Sequence, residues 1–157
     1  MSETISPFRQ VTALIGWVLL TFLAPLLGAF TPPGAWYQAL QKPEWNPPAW
    51  LFAPVWTLLY LGMAMAAWLV WKKGMRSGAL RWYIIQWALN AAWTPVFFGA
   101  HQIGLALLVM FCLWLAIVLT LRAFWQVSRS AGLLLVPYLL WVSFATLLNV
   151  TLWWLNP

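Results

Sequence analysis

The chain has 157 residues, of which 64% are hydrophobic and only 6% are charged, and its formal net charge is +6. A soluble domain of this length needs many more charged residues to cover its surface, so the composition excludes a soluble globular protein. The apolar runs have helical length and lack the alternation of membrane strands. We therefore predict an all-α integral membrane protein in which residues 1–157 form a single domain.

Five apolar segments are long enough to cross ~30 Å of hydrocarbon, at ~1.5 Å of rise per residue. A signal peptide is the competing interpretation of the first segment, because Arg9 precedes it and residues 27–29 resemble a cleavage site. That segment exceeds the usual ~7–15 apolar residues of a signal peptide and contains Trp17 and Pro25, which favours a membrane span. The predicted spans are about 11–30, 49–71, 79–98, 103–124 and 131–154.

Residues 31–48 connect the first two spans and are rich in Trp, Tyr and Pro. A membrane helix would not accommodate Lys42, Pro43 and Glu44 in succession. Trp and Tyr favour the water–lipid boundary, because one part of the ring is apolar and the other forms hydrogen bonds. We predict a structured aromatic loop at that boundary, with a short helix over 35–41 and Asn46 as the N-cap of the second span.

The later connections are short, at residues 72–78, 99–102 and 126–130. Short connections favour antiparallel neighbours, so we predict that the second to fifth spans pack in sequence order. No internal repeat is visible, so an inverted-repeat transporter has no support. The single Cys112 lies in an apolar run, and we expect a small buried hydrophobic residue there rather than a disulfide.

The Lys and Arg residues are distributed unevenly between the two sides of the predicted bundle. Five spans place the termini on opposite sides, and Lys42 is then the only cation on the side of the long loop. The positive-inside rule puts the N-terminus in the cytoplasm if the host is a bacterial cell membrane, with an outer membrane as the alternative. The N-terminal side collects Arg9, Lys72, Lys73, Arg76, Arg81, Arg122 and Arg129.

Polar residues recur at helical spacing within three of the spans. In the third span Gln86, Asn90 and Thr94 lie four residues apart, which places them on one face, with Trp93 and Phe97 on the neighbouring strip. Such groups are costly in hydrocarbon and need partners. Asn90 and Asn149 would join helices for a modest ~0.6–2 kcal/mol each, or they would face a ligand.

The second and fifth spans offer matching faces. Trp141, Ala145 and Asn149 recur every four residues, and the small Ala145 leaves a notch for a flat molecule. Trp56 and Tyr60 share a face below the loop. Aromatic walls with a few polar groups are typical of a ligand pocket, which the loop residues Trp36, Tyr37 and Trp45 would close. The fourth span carries almost no polar residue, and we expect it to act as scaffold or lipid-facing surface.

Motifs for acid–base, nucleophilic and metal chemistry are absent from the spans. Glu3 and Glu44, the only two acids, both fall outside them, which also weakens ion-coupled transport. The single His101 has no neighbouring Cys, Asp or Glu in sequence, so we predict neither a metal site nor an obligatory cofactor. No basic segment with interleaved polar residues suggests nucleic acid.

Several motifs, in order along the chain, resemble the TspO/MBR family, the tryptophan-rich sensory proteins and translocator proteins also known as peripheral-type benzodiazepine receptors. The resemblance covers nearly the whole chain after the first ten residues. It rests on Trp36-Tyr37 with Leu40, Lys42-Pro43-Glu44-Trp45-Asn46-Pro47-Pro48, Val55-Trp56 with Leu59-Tyr60, Leu89-Asn90 with Trp93 and Phe97-Phe98, and Pro137-Tyr138-Leu139 with Trp141, Phe144-Ala145 and Leu148-Asn149.

The resemblance implies a bundle of five transmembrane helices, often dimeric, with a pocket under the first loop for porphyrin or haem, sterols or flat synthetic drugs. The loop residues Trp36, Trp45, Pro47 and Pro48 are the expected lid. The expected ligand-binding residues are Tyr37, Trp56, Tyr60, Asn90, Trp93, Phe97, Trp141, Ala145, Leu148 and Asn149.

Three functions follow from the resemblance. The first is membrane-embedded binding or sensing of tetrapyrroles, linked to tetrapyrrole regulation or a stress response. The second is light-dependent porphyrin breakdown, in which Trp56 and Trp141 would react, and the third is transport of porphyrins or sterols. The cholesterol motif of animal members requires a Tyr followed by Lys or Arg in the fifth helix, and residues 148–154 contain neither, which favours porphyrin over sterol.

Overall fold

The computed structural model describes residues 5–74 and 77–157, and the side chain of Ser77 lies outside this description. Arg76, one cation of the predicted basic turn, is not among these residues. The described chain is helical and contains no strand. Its elements are α1 (Pro7–Gly28), α2 (Ala35–Ala39), α3 (Ala49–Lys72), α4 (Ser77–Thr94), a π turn (Pro95–Gly99), α5 (Ile103–Val127) and α6 (Arg129–Leu155).

The ends of the helices follow from local chemistry. Ser6 accepts a hydrogen bond from the Arg9 amide at 3.4 Å, and Pro7 begins α1 where a missing N–H costs little. The prediction that Asn46 caps the second span was wrong, because Pro48 precedes α3 and the Asn46 amide donates to the carbonyl of Pro47 instead. Two consecutive prolines extend the chain between Asn46 and the helix, so its side chain does not serve as the cap.

The aromatic loop contains one short helix. Helix α2 covers five residues, fewer than the predicted 35–41. Its C-terminal end is closed by Lys42, whose ammonium donates to the carbonyls of Tyr37, Gln38 and Leu40 at 2.6, 3.2 and 3.1 Å. A cation at this position satisfies carbonyls that have no partner inside the helix.

A π turn follows α4 and leads into the connection to α5. Pro95 has no amide hydrogen for the α-helical ladder, and the Ala100 amide bonds to the Pro95 carbonyl five residues back, at 2.9 Å. His101 then adopts a positive φ of 57°, which His tolerates better than most residues. The turn directs the side chain of Phe97 inward, where it is 1% exposed.

The five long helices form a closed ring in the order α1, α3, α6, α5, α4. The predicted pairing of the second and third spans was therefore wrong: α3 packs mainly on α1 and α6 and touches α4 only slightly. Thr21 and Tyr83 join α1 to α4 by a hydrogen bond between their hydroxyls at 2.5 Å. Gly28 lets the same helices approach closely, since a Cβ there would lie 3.1 Å from Thr94 Cγ2.

The expectation for Cys112 was also wrong, because its side chain is exposed on the outer surface of α5. The core is instead built around small residues of α3, where Ala64, Ala66 and Ala67 are fully buried. Small residues bring backbones together in membrane bundles. Gly62 likewise faces the Leu134 carbonyl of α6. The small residues Gly62 and Ala66, four positions apart, therefore pack against other helices of the same chain.

Within the described residues, four helices are long and apolar enough to cross a membrane: α1, α3, α5 and α6. Helix α4 is shorter, and it carries Gln86 and Asn90, both of which face the interior. The division into five spans thus stays a prediction.

Candidate functional site: an aromatic cavity beneath the loop

A cavity of about 530 Å³ lies beneath the aromatic loop, within the ring of helices. Its volume falls in the ~300–1,000 Å³ range of small-molecule sites. Every long helix except α1 contributes to the wall. The lining residues are Pro33, Tyr37, Gln38, Lys42, Asn46, Pro47, Ala49, Phe52, Trp56, Trp93, Thr94, Phe97, Phe98, Met110, Trp141, Ala145, Leu148, Asn149 and Leu152.

A second cavity of about 250 Å³ adjoins the first and reaches toward α1. The two share Phe52, Trp56, Trp93, Thr94 and Met110 as lining residues. A change at any of these side chains would therefore affect both spaces. The residues that line only the smaller cavity are Pro25, Gly28, Ala53, Tyr60, Asn90 and Leu113.

Ring–ring contacts fix the aromatic walls. Trp93 stacks on Phe97, with ring centroids 4.9 Å apart and planes 20° apart, and this pair joins α4 to the π turn. Trp56 stacks on Tyr60 at 5.4 Å. Trp141 meets the edge of Phe52 at 5.9 Å, so α6 and α3 approach each other through aromatic rings. Such pairs contribute ~0.5–1.5 kcal/mol beyond their burial.

Among the contacts that fasten the loop to the bundle, three involve only residues that line neither cavity. Trp36 stacks on His101 with centroids 4.2 Å apart, and Trp45 meets Phe144 at 5.8 Å. Gln41 and Asn156 form the third fastening through two hydrogen bonds. The Gln41 amide donates to Asn156 Oδ1 at 2.9 Å, and Asn156 Nδ2 donates to the Gln41 carbonyl at 3.0 Å.

Asn149 is held by two neighbours at the cavity wall. Its Oδ1 accepts a hydrogen bond from Trp93 Nε1 at 3.1 Å, and its Nδ2 donates to the Ile103 carbonyl at 3.2 Å. The amide thereby orients the Trp93 ring and connects α6 to the start of α5. One lone pair and one N–H of Asn149 remain for other partners.

Asn90 belongs to a buried chain of hydrogen bonds across α3, α4 and α6. The Tyr60 hydroxyl donates to Asn90 Oδ1 at 2.6 Å, and Asn90 Nδ2 donates to the Tyr138 hydroxyl at 2.9 Å. The Tyr138 hydroxyl in turn donates to Gln86 Oε1 at 2.8 Å. The side-chain amides of Asn90 and Asn149 therefore both bond to other residues of the protein. The sequence alone left two roles open for them, joining helices or facing a ligand.

Two residues that line the larger cavity each have a buried polar atom with no hydrogen-bond partner among the described residues. These atoms are Trp141 Nε1, a donor, and Asn46 Oδ1, an acceptor. A buried polar group without a partner costs ~1–3 kcal/mol, so a ligand that bonded to these atoms after a shift of their side chains would recover that free energy. Tyr37 adds a neutral hydroxyl nearby, and burial raises the pKa of its phenol further above the physiological range.

All ten residues predicted to bind a ligand line one of the two cavities. Whether they bind one stays a prediction. Of the predicted lid, Pro47 lines the larger cavity, whereas Trp36, Trp45 and Pro48 do not line either cavity. Trp36 and Trp45 instead fasten the loop from outside, through the contacts described above.

Several residues that line the cavities were not predicted from the sequence. Phe52 carried a usable signal, since it lies four residues before Trp56 and therefore on the same face of α3. Met110 and Leu113 of α5 carried none, because an apolar residue in an apolar helix reveals nothing about which side it faces. The expectation that this helix only supports the fold or faces lipid was incomplete, since both residues line a cavity.

Comparison with known proteins identifies the family of this chain. The family described as the TspO/MBR family matches residues 14–155. The chain belongs to the TspO/MBR family. The tryptophan-rich protein TspO of Chlorobaculum tepidum is 48% identical over 156 residues, which cover 95% of this chain and 99% of that protein.

Other TspO/MBR relatives come from bacteria and animals. The tryptophan-rich sensory protein of Cereibacter sphaeroides is 45% identical over 139 residues, covering 85% of this chain and 88% of that protein. The translocator protein of Homo sapiens is 44% identical over 143 residues, covering 83% and 85%. Family membership and the four long apolar helices make this chain an integral, multi-pass membrane protein.

Proposed function

We propose that the protein is a membrane-embedded binding and sensing protein for tetrapyrroles, such as porphyrin or haem, and other flat hydrophobic ligands. The observation that carries this proposal is the cavity of about 530 Å³ walled by Trp56, Trp93 and Trp141. Indole faces stack well on a planar aromatic macrocycle. The relatives that share this family include one named as a sensory protein, which agrees with a sensing role.

Polar groups at the cavity would orient such a ligand. After a shift of its ring, Trp141 Nε1 would donate to an acceptor on the ligand. Lys42, a loop residue at the cavity wall, supplies a positive charge for an acidic substituent while its ammonium holds the α2 carbonyls. A tetrapyrrole offers both a flat apolar surface and carboxylate side chains. The absence of Tyr, Lys and Arg from residues 148–154 favours this class over sterols.

A titration with protoporphyrin IX in the dark tests the proposal. The wild type should show saturable quenching of Trp fluorescence, and the Trp56→Ala, Trp141→Ala variant should lose it because two stacking surfaces are removed. The matched control is Trp50→Ala, Trp154→Ala, which also lacks two Trp residues but removes rings that are 72% and 83% exposed. Equal, non-saturable quenching in all three proteins would overturn the proposal.

Light-dependent breakdown of porphyrin is the second candidate function. Its support is the placement of Trp56 and Trp141 on one cavity, with no hydrogen-bond partner for Trp141 Nε1 in the described part of the chain. An electron-rich indole beside a photoexcited porphyrin is a plausible electron donor. Illumination should bleach bound porphyrin in the wild type and much less in Trp141→Phe, as followed by its absorption band. Equal bleaching in both would remove this candidate.

We further propose that α4 and its π turn together cross the membrane as the third span along the chain, which brings the number of spans to five. Their support is the closed ring, in which α4 lies between α1 and α5 and keeps its polar side chains inside. We place the N-terminus in the cytoplasm of a bacterial cell, because the cations collect at that end of the bundle. A C-terminal alkaline phosphatase fusion should then be active, and an inactive one would contradict five spans with this orientation.

We also propose a homodimer, which rests on the family resemblance. The pair Gly62 and Ala66 does not supply its interface, because it packs within the protomer. Light scattering on the detergent-solubilised protein should give the mass of two chains, and a monomer mass would contradict this proposal.

A further inference from the structure

The basic side chains concentrate at one end of the helix ring. Contacts between helices define this end: Trp68 Nε1 near the end of α3 donates to the Gln10 carbonyl near the start of α1, at 2.8 Å. Gly132 at the start of α6 lies against Trp125 near the end of α5. Helix α4 begins there too, since its last residue, Thr94, lies against Gly28 at the opposite end of α1. We call this end the basic rim, formed by Arg9, Lys72, Lys73, Arg81, Arg122 and Arg129.

The described residues contain no acid that would balance the basic rim. The chain has two acids, of which Glu44 belongs to the loop at the opposite end and Glu3 lies outside the described ranges. Arg81, Arg122 and Arg129 are exposed. The rim therefore presents positive charge to whatever surrounds this end of the bundle.

Three of these cations lie over indole rings on three different helices. Lys72 Nζ is 4.3 Å from the ring centroid of Trp68 in α3. The guanidinium carbon of Arg81 is 5.8 Å from the Trp82 centroid in α4, and that of Arg129 is 5.9 Å from the Trp125 centroid, which joins α6 to α5. Trp favours the headgroup level of a bilayer, so each paired cation would lie at the depth of the phosphates.

We propose that the basic rim binds the phosphate groups of anionic phospholipids in the adjacent leaflet. Charge complementarity supports this occupant, because juxtamembrane Lys and Arg are attracted to anionic lipid. Arginine also binds phosphate oxygens in a bidentate manner. An acidic protein segment fits less well, since the cation–indole pairs are spread around the ring rather than collected in one patch. This inference does not depend on the ligand of the cavity.

The test measures which lipids the full chain immobilises in phosphatidylcholine vesicles. Spin-labelled phosphatidylglycerol should be retained about threefold to fivefold more strongly than spin-labelled phosphatidylcholine, as expected for headgroups that contact one rim cation. The preference should fall clearly in the variant Lys72→Gln, Arg81→Gln, Arg129→Gln, which removes three of the six rim cations. The matched variant Lys72→Arg, Arg81→Lys, Arg129→Lys keeps the charges and should keep the preference.

Salt provides a second measurement on the wild type alone, which matters if the triple variant fails to fold. Raising the ionic strength to ~1 M shortens the screening length to ~3 Å and should weaken the preference. Equal retention of the two lipids by the wild type would overturn the proposal and leave an acidic protein segment as the better occupant. An undiminished preference in the Gln variant would also overturn it.

Discussion

Tyr138 is the central residue of the buried hydrogen-bond chain, because its hydroxyl both accepts from Asn90 and donates to Gln86. With Tyr60 at one end, this chain fixes the rotamer of Asn90 at the smaller cavity. The polar residues of α4 thus contribute to the assembly of α3, α4 and α6 as well as to a wall. Asn90, which lines the smaller cavity, is thus held in part by Tyr138, which lines neither cavity.

The variant Tyr138→Phe tests this arrangement. It leaves Asn90 Nδ2 and Gln86 Oε1 without their partner, so we expect the free energy of unfolding to fall by ~1–3 kcal/mol. Tyr83→Phe is the matched control, because Thr21 keeps its bond to the Trp17 carbonyl and a smaller loss should result. Thermal unfolding in detergent measures both, and equal melting temperatures for the two variants would contradict the role of the chain.

The sequence predicted which residues line the cavities better than it predicted their hydrogen bonds. Four-residue spacing placed Trp141, Ala145 and Asn149 on one face, and all three line the larger cavity. Spacing does not show which partner an amide takes, because Asn149 finds Trp93 on another helix. The exposure of Cys112 could not be predicted from the sequence either, because a residue in a wholly apolar helix can face the core or the outer surface.

The loop over residues 31–48 is the element that separates the cavity from its surroundings at one end. It is fastened to α6 by Asn156 and Phe144 and to the turn before α5 by His101. The hydrogen bonds between Gln41 and Asn156 join residues 115 positions apart and lie in the exposed part of the structure. Exposed bonds open more readily than buried ones, so this fastening is the expected point of release.

The variant Asn156→Ala should loosen the loop without changing any cavity residue. Loss of about 1 kcal/mol of hydrogen bonding corresponds to a roughly fivefold higher rate of loop opening. We therefore expect protoporphyrin IX to associate and to dissociate roughly fivefold faster. Gln102→Ala, which removes an exposed amide at the same end of the bundle, should leave the rates unchanged. Stopped-flow fluorescence measures them, and wild-type rates in Asn156→Ala would contradict the fastening.

Helix boundaries were accessible from the sequence because prolines and polar residues mark them. The sequence did not show which helices pack against each other. A short connection between α3 and α4 suggested direct packing, yet α1 lies against both helices and its contacts separate them. Buried Thr21 and Ala24 give α1 a surface that fits between them, and no local pattern reveals that choice.

Across the described residues, a ring of five long helices encloses an aromatic cavity near one end and carries the six cations of the basic rim at the other, whereas Lys42 lies at the cavity end. Composition alone indicated the membrane class, since 6% charge cannot cover a soluble domain. The order of the helices and the contribution of α5 to the wall required the tertiary structure. Together these features favour a protein that holds a flat molecule under a fastened loop.

Filling the cavity tests this account most directly. Ala145→Phe would place a ring in the notch beside Trp141 while all 15 Trp residues remain, so the fluorescence signal is preserved. The account predicts that saturable protoporphyrin IX binding weakens at least tenfold in this variant. It should be unchanged in Ala88→Phe, a matched substitution at an exposed position of α4. Wild-type affinity in Ala145→Phe would show that the macrocycle binds elsewhere, and would contradict the account.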